Sequence, residues 1–287
     1  VHPGAAVVAG IDFSAISAAV VAQAVRCAAR LGGPCRVLHV VDVLEEGAEA
    51  ALLLPALRRR VAAERREAEE AMAALVAGFG GGPVEVVAEV AEGRPAQRLV
   101  RVAVAEGSAL VVVGGSPPQR MLGAIAEKVV RIAPVPALVV RRPPPEGYRN
   151  LLAAVDFSPE AERALEAALG LVEDSGRVTL WHAVDPRGAS GVEDFTEAAR
   201  DLEARVRDWA APVLGPREAR VVVVEGRPRK VLLEEVVSRD ADLLAVGCRG
   251  RGRIRRLLLG SVAEAAVRWA ACDVLVAGRR ATPGPGQ

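Results

Sequence analysis

The chain repeats itself, and this constrains the fold more than any other feature of the sequence. VVAGIDFSAIS at 7–17 is answered by LLAAVDFSPEA at 151–161, which sets Asp12 against Asp156, 144 positions apart. VLHVVD at 37–42 is answered by TLWHAVD at 179–185, with His39 against His182. EGRP occurs at 92–95 and again at 225–228, LVVVGGS at 110–116 faces LLAVGCR at 243–249, and GAIAEKVVR at 123–131 faces GSVAEAAVR at 260–268. The last two offsets, 133 and 137, differ by four, so the first copy is four residues shorter in the loop between those segments. A repeat sustained over this length, in a chain of 287 residues, implies two tandem domains, and we expect them at 1–142 and 149–280.

Within each copy, short β-branched runs alternate with longer Ala, Leu, Glu and Arg stretches of helical periodicity, the pattern of βαβ units on a parallel sheet. In the second copy strands are expected near 150–155, 177–183, 219–225, 242–246 and 273–277, and LLAAV and LLAVG are apolar enough to be covered on both faces. Ser158-Pro159 reads as an N-cap followed by a first-turn proline, opening a helix to about 174. The first copy repeats the layout, with a long charged helix over about 55–77 whose RRRVAAERREAEEAMAAL forms a solvated face. PPPEG at 143–147 is the linker, and TPGPGQ at the end is expected to be disordered. The terminal strands ALVV (137–140) and VLVA (274–277) would present open edges unless the two halves pair through them.

Composition narrows the function. With 37 Lys+Arg against 36 Asp+Glu, the net charge of +1 gives no global pull toward nucleic acid or an anionic membrane. The opening VHPGAAVVAGID has no basic segment ahead of a signal-type apolar stretch, so a cytoplasmic location is expected. Cys27, Cys35, Cys248 and Cys272 make no CxxC or Cys/His ligand pattern, so neither a metal site nor a disulfide framework is expected. The two lysines, Lys128 and Lys230, neither follow a glycine nor precede Ser or Thr, which excludes a Walker-type P-loop. Gly250-Arg251-Gly252-Arg253 lacks the third glycine of a dinucleotide fingerprint and follows a late strand, which argues against NAD. No Ser/His/Asp or Cys/His constellation emerges from the spacing, so no catalytic residue is assigned.

One loop does carry a binding signature. Gly247-Cys248-Arg249-Gly250 directly follows a predicted strand, and after nine residues Gly260-Ser261-Val262 opens a predicted helix. Glycines after a strand let backbone N–H groups approach an anion closely, and a helix start adds free donors and a favourable dipole. Arg249, Arg251, Arg253, Arg255 and Arg256 lie between the two ends and could bond a polyphosphate.

This G-x2-G-x9-G-S spacing, with an Asp closing the first strand (AAVDFS), His182 to Asp185 after the second and EGRP before the third helix, resembles the universal stress protein family, twice over nearly the whole chain. The resemblance implies two tandem doubly wound α/β domains, each a five-stranded parallel sheet flanked by helices, Rossmann-like and of the adenine nucleotide alpha hydrolase type. It implies ATP with Mg²⁺ as ligand of the second copy, at Asp156 and Ala183 for the adenosine and at Gly247, Arg249, Gly250, Gly260, Ser261 and Val262 for the phosphates and ribose. In the first copy Asp12, Val40, Gly114 and Gly123 occupy matching positions. There, however, Pro117 replaces the second glycine, five residues rather than nine precede Gly123, and Ala124 replaces the serine, so the loop cannot wrap phosphates in the same way. The function implied is a nucleotide-dependent stress-response regulator with at most slow ATP hydrolysis, its two domains paired within the chain and a homodimer possible. The alternative is a nucleotide-free scaffold whose arginine-rich loop docks an acidic partner.

Overall fold

The computed structural model describes residues 4–43, 55–79, 81–115, 123–142, 146–185, 195–248 and 259–278. The prolines of the expected linker and the TPGPGQ tail lie outside the described residues. The first half runs β1 (Val7–Ile11), α1 (Ser17–Leu31), β2 (Cys35–Asp42), α2 (Pro55–Val76), β3 (Val86–Gly93), α3 (Pro95–Ala105), β4 (Leu110–Gly114), α4 (Ala124–Ile132) and β5 (Ala137–Val140). The second runs β6 (Tyr148–Ala154), α5 (Pro159–Leu169), β7 (Val172–Val184), α6 (Phe195–Leu214), β8 (Arg220–Glu225), α7 (Pro228–Ser238), β9 (Leu243–Gly247), α8 (Ser261–Trp269) and β10 (Asp273–Ala277). Prolines begin α3, α5 and α7, where their fixed φ suits the first turn and their missing N–H would have had no partner.

All ten strands form one sheet in the order β3-β2-β1-β4-β5-β10-β9-β6-β7-β8. Each half contributes five parallel strands, and the halves meet where β10 runs antiparallel to β5, with Leu275 opposite Leu138 at the centre of the pairing. Along the chain, strand order reverses beside β1 in the first half and beside β6 in the second. Each reversal opens a crevice outside the carboxyl ends of the strands, between β1 and β4 and between β6 and β9. Because β5 and β10 are antiparallel, the two crevices open on opposite edges of the sheet.

The apolar residues of β1, β4, β5, β9 and β10 are buried on both faces, as their unbroken runs require. One core, under α1, α2, α5 and α6, includes Val20, Met72, Leu165 and Val206. The other, under α3, α4, α7 and α8, includes Leu99, Val129, Leu232 and Val267. Each core runs through both halves.

The halves are also tied by polar contacts. Arg30 at the end of α1 donates to the Val172 carbonyl at 2.9 Å and pairs with Glu173 and Asp174. Arg163 of α5 donates to the carbonyls of Pro134 and Gly278. The carboxylate of Asp273, 2% exposed, accepts from the Arg141 amide at 2.8 Å, the Arg142 amide at 3.3 Å and the Tyr148 hydroxyl at 2.7 Å, binding the end of β5 and the start of β6 to β10. Burial raises the Asp273 carboxyl above its ordinary value, against those hydrogen bonds, and raises the Tyr148 hydroxyl well above its own.

One expected element is corrected. The helix opened by Ser158 stops at Leu169 rather than near 174, because Gly170 ends it and Val172 already pairs with Tyr148 as the start of β7. β7 is therefore longer than the strand expected at 177–183, and its register slips along the way. Tyr148 faces Val172 while Asn150 faces Arg177, so residues 173–176 form an irregularity between the two pairs. Among the described residues, no helix is long and apolar enough to cross a membrane.

Candidate functional site

The two crevices are built alike. In the second half, Asp156 follows β6, and its Oδ1 accepts from the amide of Ser158 at 3.0 Å and from the Ser158 hydroxyl. That hydroxyl in turn accepts from the Ala161 amide at 3.1 Å, capping α5. The turn is tight enough to hold Phe157 at φ 60, and Phe13 in the first half takes φ 57 at the same place. His182 fixes the neighbouring strand end, its Nδ1 lying 2.7 Å from the Val155 carbonyl and its ring against Phe157. His39 repeats this with Ile11 at 2.9 Å and with Phe13. Both histidines are thus strand-end braces, standing just before Ala183 in the second half and Val40 in the first.

Gly247 ends β9 hard against the start of α5. A Cβ there would come within 2.8 Å of the Ala161 nitrogen and 3.0 Å of the Glu160 carbonyl carbon, so only glycine allows the close approach. The chain then passes through Cys248, whose amide donates to the Ala277 carbonyl and whose carbonyl accepts from the Gly260 amide, each at 2.8 Å. Gly260 is the N-cap of α8 and offers no side-chain cap, so the first amide donors of α8, beginning at Ser261, are open to an outside acceptor. Ser261 is exposed, and Val262 is half-buried against the core below α8. The structure thus brings Gly247 together with Gly260 through Cys248, and Gly247 with the Asp156 turn through α5. Arg249 and Gly250 lie outside the described residues, as do Arg251, Arg253, Arg255 and Arg256.

In the first half, Asp12, Val40, Gly114 and Gly123 all line one cleft of about 800 Å³. Its walls are largely apolar, with Ile16, Val20, Leu38, Leu99 and Val113 among them, and the uncapped start of α4 closes one side. Burial would raise the Asp12 carboxyl, but hydrogen bonds from Ser14 and Ser17 outweigh it and hold the group below its ordinary value, so it is an anion at neutral pH. Pro117 lies outside the described residues.

Arg141 also lines this cleft, and its guanidinium donates to the Val267 carbonyl of α8 in the other half. No motif marks it in the sequence: it follows β5, which lies beside β4 and Gly115 in the first half, and only its bond to Val267 depends on the pairing of the two halves. Glu160, 8% exposed beside Gly247, was also invisible there: it reads as an ordinary first-turn acid of α5.

Comparison with known proteins decides what this architecture is. The sequence model of the universal stress protein family matches the chain twice, over residues 5–141 and 147–278. The chain belongs to the universal stress protein family. A universal stress protein of Staphylococcus aureus is 31% identical over 138 residues, covering 45% of this chain and 83% of that protein. The crystal structure of a universal stress protein from Archaeoglobus fulgidus covers 96% of this chain and 98% of its own, with a TM-score of 0.71 and 21% identity. A universal stress protein structure from Pseudomonas aeruginosa covers 96% and 93%, with a TM-score of 0.62 and 18% identity. These two structures share the tandem fold.

Proposed function

We propose that this protein is an ATP-binding stress-response regulator whose nucleotide is held by the second half. The observation that carries the reading is the approach of Gly247 to the backbone of α5 beside the open amide end of α8, at the carboxyl edge of the sheet where strand order reverses. Asp156 accepts from the nucleoside, since its Oδ2 accepts from no described residue, and the backbone at Ala183 meets the base. Gly247, Gly260, Ser261 and Val262 hold the phosphates and ribose, joined by Arg249 and Gly250. When bound, ATP supplies the polyphosphate charge that Mg²⁺ accompanies, and the metal is carried chiefly by phosphate oxygens and water.

The domains are taken as 1–142, with the degenerate loop, and 149–280, with the intact one. The open sheet edge of each is covered by the other, so one chain supplies what two single-domain copies would supply together. The role is regulatory and any hydrolysis is slow: the Ser158 hydroxyl, which donates to Asp156, is buried and is taken up in capping α5.

The test is to denature the purified protein and quantify the nucleotide released, then to titrate ATP into wild type, Asp156→Ala and Gly260→Leu. One ATP per chain is expected, abolished by Gly260→Leu with the fold intact by circular dichroism. Unchanged affinity in that variant would overturn the site, and an ATP-free wild type that also fails to bind on titration would overturn the function.

A further inference from the structure

The second half carries another cleft, at the opposite edge of the sheet from its nucleotide crevice. It has a volume of about 680 Å³, within the usual range for small-molecule sites, and lies outside the amino ends of β6, β7 and β8. Three arginines line it: Arg177 at the start of regular β7 pairing, Arg220 at the start of β8, and Arg239 just past α7. Asn150, Thr179 and Ser238 add neutral hydrogen-bonding groups, and Glu218 is the one acid among the lining residues.

Their partners leave charge to spare. Arg177 Nε donates to Asn150 Oδ1 at 2.9 Å, a neutral acceptor, and Arg220 has no carboxylate partner among the described residues. Arg239 alone is paired, with Glu235. Of the other acids nearby, Asp240, exposed between Arg239 and Ala241, adds one negative charge at the rim, and the remaining two are committed. Asp242 accepts from the amides of Arg149 and Asn150 at 2.7 and 3.0 Å, and Asp174 pairs with Arg30 and Arg217. The end of a helix ordinarily disfavours an anion, but the last carbonyls of α7 are taken by the amides of Arg239, Asp240 and Ala241.

The first half shows that the fold does not require this arrangement. Matching the histidine-bearing strands sets Thr179 on Arg36, and the strand pairings then set Arg220 on Val87. The histidine offset of 143 also sets Arg177 on Pro34, and the offset of 133 that relates the two EGRP segments sets Arg239 on Glu106. There Arg36 is neutralised by Glu89 at 3.0 Å and Glu106 at 2.5 Å, and Arg98 reaches Glu89 at 3.5 Å. Val222 stands where Glu89 would be. A self-paired network in one half thus corresponds to a cleft rimmed by arginines in the other, and the slip in β7 register at 173–176, absent from β2, forms part of its wall.

We propose that this cleft is a second ligand site, specific to the second half, for a compact polyanion such as a phosphorylated small molecule. Several arginines around one space favour phosphate, because a guanidinium fork can donate two bonds to its oxygens.

The experiment is calorimetric titration of the full chain with inorganic pyrophosphate, and with citrate as a polycarboxylate of similar charge. Pyrophosphate, which the nucleotide crevice can also accept, is expected to keep binding in Gly260→Leu, and to bind Arg177→Ala/Arg220→Ala on that background at least about tenfold more weakly, the loss expected for charge-assisted bonds. Glu218→Gln is expected to tighten binding. Binding of citrate with the same sensitivity would assign the site to polyanions at large, and its absence would assign it to phosphate. No binding to wild type, or binding in Gly260→Leu that survives the two arginine substitutions, overturns the proposal. Binding lost only in Gly260→Leu overturns it in favour of the nucleotide crevice, whereas loss of ATP binding with pyrophosphate retained would leave this cleft standing alone. Both arginines are exposed, so the variants should fold; the milder pair Arg177→Gln/Arg220→Gln repeats the test if they do not.

Discussion

The two halves share strand order and helix order, yet their crevices differ at the first helix. In the second half Ser158 caps α5 and Pro159 begins it, while in the first α1 begins only at Ser17, the position matching Ala161. The earlier start brings a helix backbone against Gly247, whereas the matching Gly114 faces the side chain of Ile16, whose Cγ2 would lie 2.7 Å from an added Cβ. A shift of two positions in a helix start thus sets main chain against the glycine of one crevice and an aliphatic side chain against the glycine of its twin.

The sharpest way to break this comparison is a matched pair of substitutions. Gly247→Val drives a side chain into backbone that cannot move aside, so it should cost about 3 kcal/mol and abolish ATP binding, while Gly114→Val meets only a side chain that can change rotamer and should cost about 1 kcal/mol. Denaturant midpoints and nucleotide stoichiometry read both effects, and equal costs would refute the distinction. Next in size is Asp273→Ala, which leaves buried donors at Arg141 and Tyr148 unpaired and should cost about 2 kcal/mol. Asp273→Asn keeps an acceptor for the amides and should cost less.

A smaller effect concerns pH. The Asp273 carboxyl is raised in the folded chain, so the native state binds its proton more tightly than the unfolded chain does. Its contribution to stability is greatest below the ordinary carboxylate value and is lost as pH rises through the raised one. Asp273→Asn should remove that decline from the stability profile measured between about pH 4 and 7. Smallest of all, Arg30→Ala should lower the melting midpoint only slightly, and added salt should narrow the difference, because the pairs it breaks are open to water.

The tandem organisation, the α/β alternation and the glycine-bearing crevice positions were legible in the sequence, because each rests on local pattern. Hydrophobic runs mark the buried strands, Ser158-Pro159 marks a helix start, and the glycines beside β4 and β9 recur at matched spacing. The misread stretch was VEDSG at 172–176, whose polar residues continue a helix as readily as they form an irregular strand; pairing of Val172 with Tyr148 decides it, and pairing is not local. The Asp273 clamp joins groups more than a hundred positions apart, and Arg177, Arg220 and Arg239 come from three separate units with no shared motif. Contacts of that kind exist only once the sheet has been assembled.

The clamp also bears on how such a chain can evolve. The position that matches Asp273 in the first half is Pro136, which has no carboxylate to offer, so the junction between β5 and β10 is pinned from one side only. Two identical subunits meeting about a twofold axis cannot do this, since any residue placed on one side of the axis is duplicated on the other. A buried acid tolerable once would then have to be accommodated twice, close to its own copy. Joining the halves covalently releases them from that duplication, and the same release lets one crevice keep its glycine loop while its twin shortens.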